Sequence, residues 1–134
     1  MTRKRIAALF TAVVFMFLMS VSAAARASDQ IGSYDIDVMP LSGRLEIYFH
    51  VSGAGIMSKI GCESIYVYEV GDLTPVESFD EDDIGMSRKN GGAYANSIYC
   101  DSEKGVDYRV VVTIFAENDA GRDSRSKTFY VTGE

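Results

Sequence analysis

The sequence lacks most of the features from which an active site or a metal centre is usually recognised. Its 134 residues contain no tryptophan, two prolines, two cysteines and one histidine, His50. It has no Gly-x-Ser-x-Gly nucleophile elbow, no phosphate-binding loop and no dinucleotide-binding fingerprint. A single histidine without a second imidazole is a poor metal ligand or general base. We therefore expect a protein that is not an enzyme and that binds no metal or cofactor.

Long apolar runs are also absent, except at the N-terminus. Three basic residues at positions 3–5 precede an apolar run from Ile6 to Val21, and the small-residue pattern Ala25-Arg26-Ala27 follows. The run is shorter than the roughly 20 residues that span a bilayer, and this order of basic, apolar and small residues is typical of secretory signal peptides. We predict cleavage after Ala27, with residues 1–27 as a signal peptide and residues 28–134 as one secreted, extracellular domain.

Positive charge becomes scarce after this cleavage. Of the 13 basic residues four lie in residues 1–27, whereas all 19 acidic residues lie beyond them, which leaves the mature domain a formal net charge of −10. This charge repels phosphate backbones and anionic lipids, so we expect neither a nucleic acid nor a membrane surface as partner.

Apolar residues in the mature domain alternate with a period of two, which is typical of strands. No segment sustains helical periodicity, and glycine-rich turn signals, among them residues 52–55 and 90–92, separate the strand-like segments. We predict an all-β sandwich of about seven strands in residues 34–38, 44–51, 65–70, 75–79, 93–100, 108–115 and 127–131.

Two stretches carry a family resemblance. In the first, Gly105 and Tyr108 open an alternating strand, and the loop Asn118-Asp119-Ala120-Gly121 ends it; the second runs from Ile60 to Tyr68. They resemble the end and strand C of a fibronectin type III or related Ig-like domain. The resemblance implies a two-sheet sandwich in which the Tyr108 hydroxyl bonds back to the preceding loop. The mature chain also resembles small secreted proteins of Gram-positive bacteria that have no assigned function.

Export makes a disulfide between Cys62 and Cys100 possible. In the fold that the resemblance implies, however, these residues lie at opposite ends of the strands. A strand of about six residues separates its ends by roughly 20 Å, whereas a disulfide needs Cα atoms within about 7 Å. We therefore do not favour the bridge and expect two semi-buried thiols.

One face of the predicted sheet is a candidate binding site. If Tyr108, Val110 and Val112 point into the core, the intervening residues of that strand point outward, and the neighbouring strand C adds two tyrosines. The predicted face consists of Tyr66, Tyr68, Val111, Thr113, Phe115 and one of Phe129 or Tyr130. Exposed apolar patches often mark interaction sites; ordinary cross-strand packing is the alternative explanation.

The densest run of charge is Asp80, Glu81, Asp82 and Asp83. Clustered carboxylates can bind Ca²⁺, but these four are consecutive and do not follow the alternating pattern of a calcium loop. We favour a solvated loop over a metal site.

These observations favour a secreted, non-enzymatic binding or adhesion module that recognises an extracellular protein or glycan and is monomeric. Two alternatives remain open at this point. One is a small extracellular hydrolase acting on glycan or cell wall, and the other is a structural subunit that associates through its sheet edges.

Overall fold

The computed structural model describes residues 30–134, so the predicted signal peptide lies outside the described residues. All regular elements within them are strands, which confirms the all-β prediction. None of the described residues forms a helix that could cross a membrane. The six strands are β1 (Ile31–Leu41), β2 (Arg44–Glu69), β3 (Glu77–Asp80), β4 (Ser87–Asp101), β5 (Asp107–Asn118) and β6 (Gly121–Thr132).

All six strands belong to one curled antiparallel sheet organised around β2. The first part of β2 lies between β1 and β4, with Ile47 opposite both Val38 and Ile98. Its last part lies between β3 and β5, and β6 extends the sheet beyond β5. One strand therefore crosses from one half of the sheet to the other.

The two glycine-rich segments predicted as turns lie inside strands, and this part of the prediction is wrong. Residues 90–92 belong to β4. Residues 52–55 belong to β2, which joins the predicted strands 44–51 and 65–70, so six strands replace the predicted seven. The segments lie opposite each other, with Ser52 paired to Ala93 and Met57 paired to Gly91, and the register shifts between these pairs. The glycines of both segments thus lie where β2 and β4 stay paired but their register is irregular. A bulge of this kind increases the local bend of a strand.

The core takes alternate residues from both parts of β2 and from β5. Leu45, Ile47, Phe49 and Val51 come from the first part of β2, Ile65 and Val67 from its last part, and Val110, Val112 and Ile114 from β5; all are fully buried in one cluster. Burying a side chain of this kind contributes about 1.5–3 kcal/mol. The period-two pattern of the sequence therefore places one side of each strand in the core.

Tyr108 ties the loop between β4 and β5 to the core. Its ring is buried, and its hydroxyl accepts a 2.8 Å hydrogen bond from the backbone N–H of Glu103. The contact lies in the loop in which the resemblance places it.

Both cysteines are buried and free. The Cys62 thiol contacts the backbone oxygen of Thr113 at 3.3 Å, and burial raises the pKa of Cys62 to about 12. Burial also raises the pKa of Cys100 to about 11. Both side chains therefore act as small apolar core residues at neutral pH.

Gly61 marks a close approach between β2 and the segment that begins β4. Its φ of 151° is unfavourable for other residues, and a Cβ built on it would lie 2.4 Å from the backbone oxygen of Met86. The backbone of Met86 and Ser87 thus occupies the place of a side chain at position 61.

We expect Gly61→Ala to lower the free energy of unfolding more than Gly55→Ala. Both glycines have positive φ, but nothing lies within 4 Å of a Cβ at Gly55, so the second variant isolates the backbone strain. In Gly61→Ala the close contact should increase the loss in the free energy of unfolding by about 1–3 kcal/mol, as overpacking of a core does. Urea unfolding of both variants measures the difference, and equal losses would show that the approach at Gly61 is not needed.

Candidate functional site

The outer side of β2, β5 and β6 carries a row of tyrosines. Residues directly opposite each other in an antiparallel pair project to the same side. One rung of the ladder joins Tyr66, Val111 and Thr128, and the next joins Tyr68, Arg109 and Tyr130. We call this surface the tyrosine face; its members are Tyr66, Tyr68, Arg109, Val111, Thr128 and Tyr130.

The tyrosine face is partly open to solvent and partly ordered by its own contacts. Tyr130 is 71% exposed and Tyr66 is 40% exposed. The Arg109 guanidinium lies 4.3 Å from the centre of the Tyr68 ring, and the Tyr66 and Tyr68 rings are 6.4 Å apart. A cation over an aromatic ring holds both groups in place. Tyr66 and Tyr130 are therefore the rings most accessible to a partner.

Thr113 lies next to this surface and is engaged in the sheet. Its hydroxyl and that of Ser126, its cross-strand neighbour, are 2.6 Å apart. Of the predicted residues, the structure thus brings Tyr66, Tyr68 and Val111 together on the outer side, with Thr113 at the edge. It also places Tyr130 there, while Phe129 packs against the core.

Phe115 does not belong to an exposed face, and its predicted exposure is wrong. The residue lies outside the central core cluster and yet is 0% exposed. The Arg122 guanidinium covers it at 4.1 Å from the ring centre. Alternation along β5 predicts the side of the strand to which Phe115 points. It does not predict that a residue of β6, Arg122, lies over the ring.

Arg122 is the centre of a charged cluster over Phe115. It contacts Glu63 at 2.9 Å and Glu117 at 3.1 Å, and it holds Glu81 through two nitrogens at 2.9 and 3.0 Å. Lys59 approaches Glu81 to 2.7 Å and Asp82 to 2.9 Å. We call these six side chains the Arg122 cluster. It joins the loop after β3 to β2, β5 and β6.

The acidic run at residues 80–83 satisfies its carboxylates within the protein. Glu81 and Asp82 pair with the cations of the Arg122 cluster. Asp80 accepts a 2.8 Å hydrogen bond from the backbone N–H of Asp82, and Asp83 accepts one of 2.8 Å from that of Asp80. Among residues 30–134 no group of three His, Cys, Asp or Glu side chains is placed to hold a metal ion.

His50 lies on the outer side of β2, half-buried, between Asp35 of β1 and Ala95 of β4 in the ladder. Its Nε2 is 3.5 Å from the Ser52 Oγ, at the limit of a hydrogen bond. Within the described part of the chain no carboxylate accepts a hydrogen bond from the imidazole ring. A serine nucleophile needs a base that is oriented by a third group, so this pair is not arranged as a catalytic triad.

We expect the Arg122 cluster to make stability depend on pH through Glu81. Hydrogen bonds from Arg122, followed by those from Lys59, lower the pKa of Glu81 from its ordinary value of 4.5 to about 2. Because the folded-state pKa is the lower one, the stabilisation is complete above pH 4.5 and is lost as the pH falls towards 2. Glu81→Gln should lower the free energy of unfolding by about 1 kcal/mol at pH 7. It should also weaken the fall of that free energy between pH 4.5 and pH 2.

Asp72→Asn is the matched control, because it also removes one negative charge, from an exposed carboxylate of the loop between β2 and β3. Urea unfolding from pH 2 to pH 7 compares the two variants with the parent protein. If the free energy of unfolding of Glu81→Gln falls with acid as steeply as that of the parent, Glu81 does not make the stability depend on pH.

Comparison with known proteins adds no assignment. Neither a protein-family model nor a curated protein matches this chain.

Proposed function

We propose that this chain is an exported, non-enzymatic binding or adhesion module with an Ig-like, fibronectin type III-like sandwich fold. Its partner, an extracellular protein or glycan, contacts the tyrosine face. The observation that carries the proposal is the placement of three tyrosines and one arginine on adjacent rungs, with Tyr130 71% exposed.

The strand pairing supports the sandwich. In this interpretation β2 serves as two successive strands of an Ig-like domain, B and C, which the irregular stretch after Ser52 connects without a turn. One sheet then consists of β1, the first part of β2 and β4. The other consists of β3, the last part of β2, β5 and β6. The shared core between the two parts of β2 is what such a sandwich requires.

The chemistry of the tyrosine face supports binding. Tyrosine and arginine are enriched at interfaces because they combine a large contact area with hydrogen-bonding groups. Arg109 is held against Tyr68 at 4.3 Å, so less conformational entropy is lost when a partner fixes it. The hydroxyls of Thr128 and the tyrosines provide polar contacts suited to a glycan or to a peptide backbone.

The N-terminal pattern supports export. The basic, apolar and small-residue segments at residues 1–27 follow the order that signal peptidase substrates share. A mature domain with a formal net charge of −10 is compatible with solubility outside the cell.

We expect the double variant Tyr66→Ser/Tyr130→Ser to weaken binding at least about tenfold, since losing 1.4 kcal/mol corresponds to a factor of ten. The partner is first sought by screening the labelled protein on arrays of glycans and immobilised extracellular proteins, and its affinity is then measured by biolayer interferometry.

The control is Tyr34→Ser/Tyr99→Ser, which removes two tyrosines that are each 46% exposed and lie in β1 and β4. This variant should bind as the parent does. Equal affinities of the parent and the Tyr66/Tyr130 variant would rule out the tyrosine face as the binding site.

A further inference from the structure

The loop that joins β2 to β3 holds apolar side chains in solvent. Leu73 is 94% exposed, Val70 53% and Val76 51%. Both ends of the loop are fixed, because the Val70 N–H donates to the backbone oxygen of Asp107 at 2.9 Å and the Val76 N–H to that of Val67 at 2.8 Å. Since burial of apolar surface is favourable, a fixed loop that exposes three such side chains is suited to contact with a partner.

Two hollows open at this end of the sheet, Tyr108 is part of the lining of both, and each has a volume of about 260 Å³. The first is mainly apolar and is lined by Val70, Tyr130 and Val131, among others. We call it the apolar hollow. The second, the acidic hollow, is lined by Val76 and by four acidic residues, Glu69, Glu77, Asp101 and Glu103, among others.

The acidic hollow has no basic side chain in its lining. Burial raises the pKa of the neighbouring Cys100 thiol, and the charges of Glu77 and Asp101 add to this effect. Within residues 30–134, and therefore also in this hollow, no three carboxylate side chains are placed to hold a metal ion. The charge is therefore complementary to a mobile cationic side chain that can reach several carboxylates in turn.

We infer that this end of the sheet docks a polypeptide segment in which apolar and basic side chains alternate. An apolar side chain of the segment lies in the apolar hollow against Val70, and a lysine or arginine enters the acidic hollow. Leu73 and Val76 pack against the intervening residues. The site is independent of the proposed role of the tyrosine face, although Tyr130 borders both.

A hexapeptide of alternating leucine and lysine tests this site, with the purified protein observed by two-dimensional NMR. We expect saturable shifts of amide signals in residues 69–77, 101–108 and 130–132, which form the loop and line the two hollows. A leucine–serine hexapeptide of the same length should bind at least fivefold more weakly, because it has no charge to place in the acidic hollow. Equal binding of the two peptides, no saturable binding, or shifts centred elsewhere would overturn the inference.

Substitutions then separate specific docking from general attraction to an acidic protein. Glu77→Gln/Glu103→Gln and, separately, Leu73→Ser should each weaken leucine–lysine binding at least fivefold. The control Asp35→Asn/Asp37→Asn removes the same charge from β1 and should leave the affinity unchanged. The NMR spectrum of each variant reports its fold, and Glu69→Gln/Glu103→Gln replaces the first pair if that pair does not fold. Equal losses in test and control pairs, or no effect of Leu73→Ser, would contradict the inference.

Discussion

The hydrogen-bonded pairing of β2 is the constraint on which the rest of the structure depends. This strand pairs with four of the other five strands, β1, β3, β4 and β5. A shift of one residue in any of these ladders would exchange the core side and the outer side of a strand. The burial of Phe49 and Val67 and the exposure of Tyr66 therefore follow from the same register. The irregular stretch between Ser52 and Met57 lets one strand serve both halves of the sheet.

Charge is distributed unequally between the two ends of β5. Near the end of β5, Glu117 belongs to the Arg122 cluster, in which each carboxylate faces a cation. Tyr108, near the start of β5, is about 30 Å from Glu117 in an extended strand. There four acidic residues line the acidic hollow, and no basic residue does. The Arg122 cluster stabilises the loop after β3. In the acidic hollow, negative charge lies beside exposed apolar side chains and is available to a partner.

The alternation of residues was sufficient to predict the strands and the outward direction of Tyr66, Tyr68 and Val111. It could not predict that two glycine-rich segments pair with each other, because a turn signal is local and the pairing of residues 52–57 with 91–93 is not. It also could not predict the burial of Phe115. The cover of this ring depends on Arg122, which is fixed by Glu63 and Glu81, both distant in sequence.

The register of β2 and β5 directs the tyrosine face outward and keeps Phe115 covered. Adding a soluble paramagnetic agent and measuring the relaxation of aromatic protons by NMR tests it most directly. We expect strong line broadening for Tyr130 and Tyr66 and little for Phe115 and for Tyr108, whose ring is buried. Broadening of Phe115 comparable to that of Tyr66, or protection of Tyr130, would show that this register is wrong.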